Sequence, residues 1–147
     1  MQMGMIGLGR MGANMLRRLA RDGHDCIGHA RGAESVGKLV AEGFRATTHL
    51  DEFISMLDTP RVIWCMVPHG DATESIVQAL AERLEQGDVI IDGGNSYFKD
   101  DARRAKQLAD KGIHYMDVGT SGGVWGLDRG YCLMTVSYTH LRAHETF

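Results

Sequence analysis

Gln2-Met3-Gly4-Met5-Ile6 runs directly into Gly7-Leu8-Gly9-Arg10-Met11-Gly12, and this junction decides the fold. The first five residues read as a short strand. Met11 to Asp22 reads as a helix, with Met11, Met15, Leu16 and Leu19 along one face. Between them the glycines stand at the spacing G-x-G-x-x-G. The first allows a tight turn, the second lets a pyrophosphate approach the backbone, and the third lets the helix pack close to the strand. The unpaired N–H groups and positive dipole end of the helix then attract phosphate. In this context Gly7, Leu8, Gly9, Arg10, Met11 and Gly12 are expected to hold a dinucleotide; outside it the same spacing is often only a turn.

Outward from the junction, short apolar runs alternate with longer amphipathic ones. Asp25 to His29 reads as a second strand, Ala33 to Glu42 as a weaker helix, Phe44 to Thr47 as a short extended piece and Asp51 to Leu57 as a short helix. Val62 to Val67 is continuously apolar, as a strand covered on both faces requires, and Pro68 ends it. Asp71, with Glu74 three residues on, predicts a helix N-cap ahead of Ile76, Val77, Leu80 and Leu84. Val89 to Asp92 predicts another strand. A helix from about Phe98 to Lys111 is expected to bury Ala102, Ala105, Leu108 and Ala109, and His114 to Val118 forms a further strand before the glycine-rich stretch Gly119 to Gly130. Alternating strand and helix predicts an α/β fold, a Rossmann-type doubly wound parallel sheet, incomplete at the C-terminus.

The 147 residues, 44% hydrophobic and 24% charged, fit one soluble domain, and a net charge of −3 gives no electrostatic reason to expect nucleic acid or an anionic membrane as partner. No run approaches the roughly 18 apolar residues of a membrane span, and no signal-peptide core precedes the glycine turn, so a cytoplasmic protein is expected. Cys26, Cys65 and Cys132 each sit in an apolar run and are expected to be buried free thiols, with no metal site.

The end of the second strand is where an acid would grip the ribose 2′-hydroxyl of NAD. Here it reads His29-Ala30-Arg31: no acid, but a guanidinium suited to the 2′-phosphate of NADP, if it is not simply solvated. NADP is therefore the expected cofactor, with NAD open. Asp92-Gly93-Gly94-Asn95-Ser96 and Gly119-Thr120-Ser121-Gly122-Gly123 each follow a strand, at the sheet edge where open α/β sheets bind ligands. Asn95 offers an amide, and Ser121, Gly122 and Gly123 offer a hydroxyl and backbone N–H groups suited to a carboxylate. Taken singly, either string could be a structural loop.

Together, GLGRMG, MVP after the fourth strand, DGGNS and GTSGGVWGLDRGYCLM resemble the decarboxylating 6-phosphogluconate dehydrogenases, in order and spacing, from Met1 to Thr135. GTSGGVWG resembles the shorter bacterial branch, and DGGNS stands where the related β-hydroxyacid (3-hydroxyisobutyrate-type) dehydrogenases carry a D-x-S-T motif. The resemblance implies oxidation of the 3-hydroxyl of 6-phosphogluconate with a nicotinamide cofactor, loss of carbon dioxide and release of ribulose 5-phosphate. It further implies that Arg31 holds the adenosine end and that Val67, Pro68 and His69 line the cofactor's far side. Asn95 would touch both nicotinamide and substrate, and Ser121, Gly122 and Gly123 would hold the sugar acid. The family's general base and general acid lie beyond the SGG segment, in a helical domain that also forms the homo-oligomer. The chain is accordingly expected to be a truncated N-terminal NAD(P)-binding domain over 1–135, with no catalytic residue of its own. From Val136 the text VSYTHLRAHETF resembles a translated sequencing adapter, so 136–147 is expected to be a non-native tail, and the His140/His144 spacing is not read as a metal site. The alternatives are a fragment of a β-hydroxyacid dehydrogenase, or a non-catalytic dinucleotide-binding module.

Overall fold

The computed structural model describes residues 1–137, in which strands and helices alternate. In chain order they are β1 (Gln2–Ile6), α1 (Arg10–Arg21), β2 (Asp25–His29), α2 (Ala33–Ala41), β3 (Arg45–Thr47), α3 (Leu50–Ser55), β4 (Val62–Cys65), α4 (Asp71–Ala81), β5 (Val89–Asp92), α5 (Phe98–Ala109), β6 (His114–Ser121), α6 (Gly126–Arg129) and β7 (Cys132–Ser137), with a 3₁₀ turn at Gly123–Trp125. The sheet order is β3-β2-β1-β4-β5-β6-β7. The pairings from β3 through β6 are parallel, which makes this the expected Rossmann-like sheet.

The last pairing departs from an all-parallel sheet, because β7 runs antiparallel to β6. A parallel crossover needs a dozen or more residues and usually a full helix. Residues 122–131 hold only the 3₁₀ turn and the single turn of α6, so the chain reverses beside β6. The expected boundary after Thr135 falls inside β7, whose Val136 and Ser137 pair with Asp117 and Met116. The reading of His140 and His144 lies outside the described residues.

Strand alternation sends side chains to two cores. Ile6, Ile27, Phe53, Ile63, Leu80, Ile90, Leu108 and Tyr115 pack on the face covered by α3, α4 and α5. Met3, Met5, Leu8, Leu16, Trp64, Ile91 and Val118 pack on the face covered by α1 and α2. Each fully buried large apolar side chain contributes about 1.5–3 kcal/mol of transfer free energy, which is why the parallel strands are so uniformly apolar.

Three expectations need correction. Cys26 and Cys65 are buried free thiols, but Cys132 is exposed, on the strand that ends the sheet order among the described residues. In α5 the buried residues are Asp101, Arg104, Ala105 and Leu108, while Ala102 and Ala109 face outward. The sheet beneath α5 carries polar groups, so charged side chains turn inward. In α4, Asp71 does not cap the helix: Gly70, at φ 91°, is the N-cap, and no side chain caps it. Glu74 instead reaches α5, accepting from Arg103 Nη2 at 2.7 Å and from Arg104 Nε at 2.9 Å.

Candidate functional site

The parallel register places His29, Ile6, Cys65, Asp92 and Asp117 in one row across the sheet. The loops after His29, Ile6, Cys65 and Asp92 start at this edge, whereas β6 runs on to Ser121. The ladder continues one residue further, with Gly7 N donating to His29 O at 2.9 Å, Met66 N to Ile6 O at 2.7 Å and Gly93 N to Cys65 O at 2.9 Å. Because the chain winds outward from β1 in one direction and from β4 in the other, the loops after β1 and β4 diverge and leave a crevice. It is a cleft of about 950 Å³, lined by the β1–α1 turn, the end of β2, and the loops after β4 and β5.

The glycine turn forms its floor. Gly7 adopts φ 89°, and a Cβ there would strike the carbonyl of Met66. A Cβ on Gly12 would collide with the carbonyl of Gly7, so the start of α1 touches the strand it follows. At Gly9 a Cβ would meet no protein atom within 4 Å: the space over the helix start is open to the cleft. No side chain caps α1 at Gly9, so its first-turn N–H groups face that space without a side-chain partner. A diphosphate fits this arrangement on steric and electrostatic grounds.

Gly7, Leu8, Gly9, Met11, Gly12, Arg31, Val67, Pro68 and Asn95 of the expected residues line the cleft together. Arg10 and His69 are exposed and stand outside its lining, as do Ser121, Gly122 and Gly123. The strand before Pro68 is shorter than expected, ending at Cys65, so that Val67 and Pro68 form the wall where β4 turns away. Proline's missing N–H and the fixed φ suit a chain leaving the ladder.

Asn95 connects the cleft to the SGG segment. It sits at φ 56°, and its side chain bridges to the next strand: Thr120 N donates to Asn95 Oδ1 at 3.1 Å, and Asn95 Nδ2 donates to Thr120 O at 3.4 Å. Asp92 sets this loop from below, accepting from Gly94 N at 2.9 Å and from Ser96 Oγ at 2.6 Å. Ser121 ends β6 opposite Cys132, one residue past the Asn95 clamp. Gly122 is small for a packing reason as well, since a Cβ there would lie 2.8 Å from the Tyr131 ring. Arg18 of α1 holds the following turn, donating to Leu127 O at 2.9 Å.

Sequence reading missed several cleft residues. His29 lies buried where the end of β2 lines the cleft, its Nδ1 bonded to Thr47 O at 3.1 Å, and burial holds its pKa below the ordinary value. Ser35 of α2 and Asp71, Ala72, Ser75 and Ile76 of α4 also face the cleft. The small and polar residues 71, 72 and 75, breaking an otherwise apolar helical face, were the one available signal.

Residues 2–141 match the family described as the NAD binding domain of 6-phosphogluconate dehydrogenase. The chain belongs to this family. Among similar curated proteins, "Putative 6-phosphogluconate dehydrogenase YqeC" of Bacillus subtilis is 42% identical over 134 residues, covering 91% of this chain and 45% of the relative. The NADP(+)-dependent, decarboxylating 6-phosphogluconate dehydrogenase of Bacillus subtilis is 38% identical and covers 90% and 29%. Its NAD(+)-dependent, decarboxylating counterpart from Haloferax volcanii is 37% identical and covers 91% and 44%. The chain thus spans less than half the length of these relatives. The structure of Plasmodium falciparum 6-phosphogluconate dehydrogenase superposes with a TM-score of 0.85 at 27% identity, over 92% of this chain and 30% of that one. Family membership makes this an oxidoreductase-family domain for a nicotinamide dinucleotide. Among the described residues no helix is long and apolar enough to cross a membrane.

Proposed function

We propose that this chain is the dinucleotide-binding segment of a decarboxylating 6-phosphogluconate dehydrogenase that prefers NADP. The observation carrying the proposal is that one cleft joins the uncapped start of α1 to Arg31 at one end and Asn95 at the other. In this reading Gly7 to Gly12 hold the pyrophosphate and Arg31 faces the 2′-phosphate. Val67 and Pro68 wall the far side, and Asn95 meets the nicotinamide. His69 and Arg10, expected to help, are left at the rim.

Bound nicotinamide would supply the hydride acceptor, and the chain's own part is binding and orientation. Asn95, locked to Thr120, brings the nicotinamide end and the SGG segment into fixed relation. Ser121, Gly122 and Gly123 then offer a hydroxyl and backbone N–H groups to the carboxylate of 6-phosphogluconate. DGGNS in place of D-x-S-T favours this substrate over a β-hydroxyacid. The segment working in the full-length relatives' setting would be a cytoplasmic pentose-phosphate enzyme and a homo-oligomer.

Titration with NADPH and NADH, followed by nucleotide fluorescence, tests the reading. A charge-assisted pair from Arg31 contributes about 1.5–3 kcal/mol, so NADPH should bind roughly ten to a hundredfold more tightly. Equal affinities would overturn the NADP preference, and failure to bind either nucleotide would overturn the site.

A further inference from the structure

Beneath the Asn95 loop lies a group of buried ionisable side chains that the cofactor site does not itself use. Asp92, Asp101 and Arg104 are at most 2% exposed, and Tyr115 is fully buried. The Tyr115 hydroxyl stands 3.0 Å from Asp92 Oδ2 and 2.8 Å from Asp101 Oδ1. A phenol has one proton and can donate to only one of them. The second short contact between oxygens therefore needs another proton, carried by one of the two carboxyls.

The surroundings decide which. Asp92 spends both oxygens as acceptors, taking Gly94 N–H on Oδ1 and Ser96 O–H on Oδ2. Asp101 has one oxygen, Oδ2, with no partner. A buried ionised carboxylate with an orphan oxygen is costly, whereas the carbonyl oxygen of a neutral acid is far less so. Around the pair stand Glu74 of α4, Arg103 and Arg104 of α5 and Asp117 of β6. Arg104 Nη1 reaches Asp101 Oδ1 at 3.3 Å, but its Nε is committed to Glu74. Burial and the charge of Asp92 also push the Asp101 carboxyl upward in pKa.

We propose that Asp101 is a neutral carboxylic acid donating to Tyr115, which donates to Asp92, and that this one-way chain positions the loop carrying Asn95. The second proton follows from counting, and the direction follows from the two accepted bonds on Asp92 and the unpartnered Oδ2 of Asp101. Asp101 and Tyr115 are then positioning residues, acting on the site through Asp92, Gly94 and Ser96. The idea rests on the proposed function only for the meaning of the Asn95 loop, not for the placement of the proton.

The test uses the whole chain, labelled with ¹³C and ¹⁵N. The carboxyl carbon of Asp101 should keep the chemical shift of a protonated acid through neutral pH. Asp101→Asn, whose amide N–H₂ can donate to Tyr115 as the acid does, should leave the Asn95 side-chain amide and Thr120 backbone amide resonances in place. It should change NADPH affinity less than twofold. Tyr115→Phe should displace those resonances and weaken NADPH binding several-fold. An Asp101 carboxyl already ionised at neutral pH overturns the proposal, as does a folded Tyr115→Phe protein with undisturbed Asn95 signals. Should Tyr115→Phe not fold, the Asp101 shift and the Asp101→Asn resonances decide. Neither spectroscopic readout needs cofactor, so a parent chain that binds no NADPH would count against the proposed function alone.

Discussion

Gly7, Gly9 and Gly12, two and three positions apart, do different things, and substitution separates the last two. A methyl on Gly12 meets the Gly7 carbonyl, so Gly12→Ala must push α1 off the sheet. Overpacking of this kind costs about 1–3 kcal/mol, and the urea midpoint should fall accordingly. A methyl on Gly9 meets nothing, so Gly9→Ala should keep its stability within about 0.5 kcal/mol while losing most of its NADPH affinity, because the methyl occupies the open space over the helix start. Equal stability loss in both variants would show that the space over Gly9 is not the ligand's. At the proposed adenosine end, Arg31→Ala should abolish the preference for NADPH, and Ala30→Asp should shift it toward NADH by supplying an acceptor for the ribose hydroxyl. An Arg31→Ala protein that still discriminates would place the phosphate contact elsewhere.

Between elements, α4 and α5 pack on the sheet through apolar side chains such as Leu80 and Leu108 and are joined to each other by ion pairs at Glu74, and two carboxylates make opposite demands on pH. Hydrogen bonds from Arg103 and Arg104 hold Glu74 down at about 2, against an ordinary 4.5. Its contribution to stability is therefore fully present above 4.5 and is lost as pH falls toward 2. With the side chain 25% exposed, this amounts to about 2 kcal/mol after allowing for solvent screening. Glu74→Gln should flatten the acid limb of a stability–pH curve and lower stability at neutrality, where Arg104 is left with a buried charge lacking its partner. Asp117 behaves in reverse: burial, reinforced by the carboxylate of Asp92, raises it to about 6 from 3.8. Its folded state favours the proton, so stability falls as pH rises between those values. Asp117→Asn should accordingly gain on the order of 1 kcal/mol above about pH 6 and nothing below about pH 4, as read by urea unfolding over that range. A pH-independent gain would mean that the carboxylate is not desolvated.

Across the whole molecule, one cleft at the switch point draws on four strand ends, so ligand binding should be felt by the entire sheet. A nucleotide that binds only the folded chain stabilises it by about 2.7 kcal/mol at one hundred times its dissociation constant. Thermal unfolding should shift upward by several degrees with saturating NADPH, and by much less with NADH at the same concentration. Identical shifts would argue against Arg31 as the discriminating group.

The glycine junction, the alternation of apolar runs and the Arg31 position were legible in the residue order, because turn sterics and strand burial are local and leave periodic marks. The reversed β7 was not, since strand direction there depends on how little chain separates it from β6. Nor were the inward charges of α5: Asp101 and Arg104 look like a solvated face until Tyr115 and Asp92, distant in sequence, supply their partners. Asp71 illustrates the same limit, for a capping pattern competes with tertiary ion pairs, and Arg103 and Arg104 claimed Glu74. Local backbone chemistry thus determined the glycine turn and the open space over the start of α1. Long-range pairing alone decided how the Asn95 loop is held, because a buried charge takes its place only from the partners that folding brings to it.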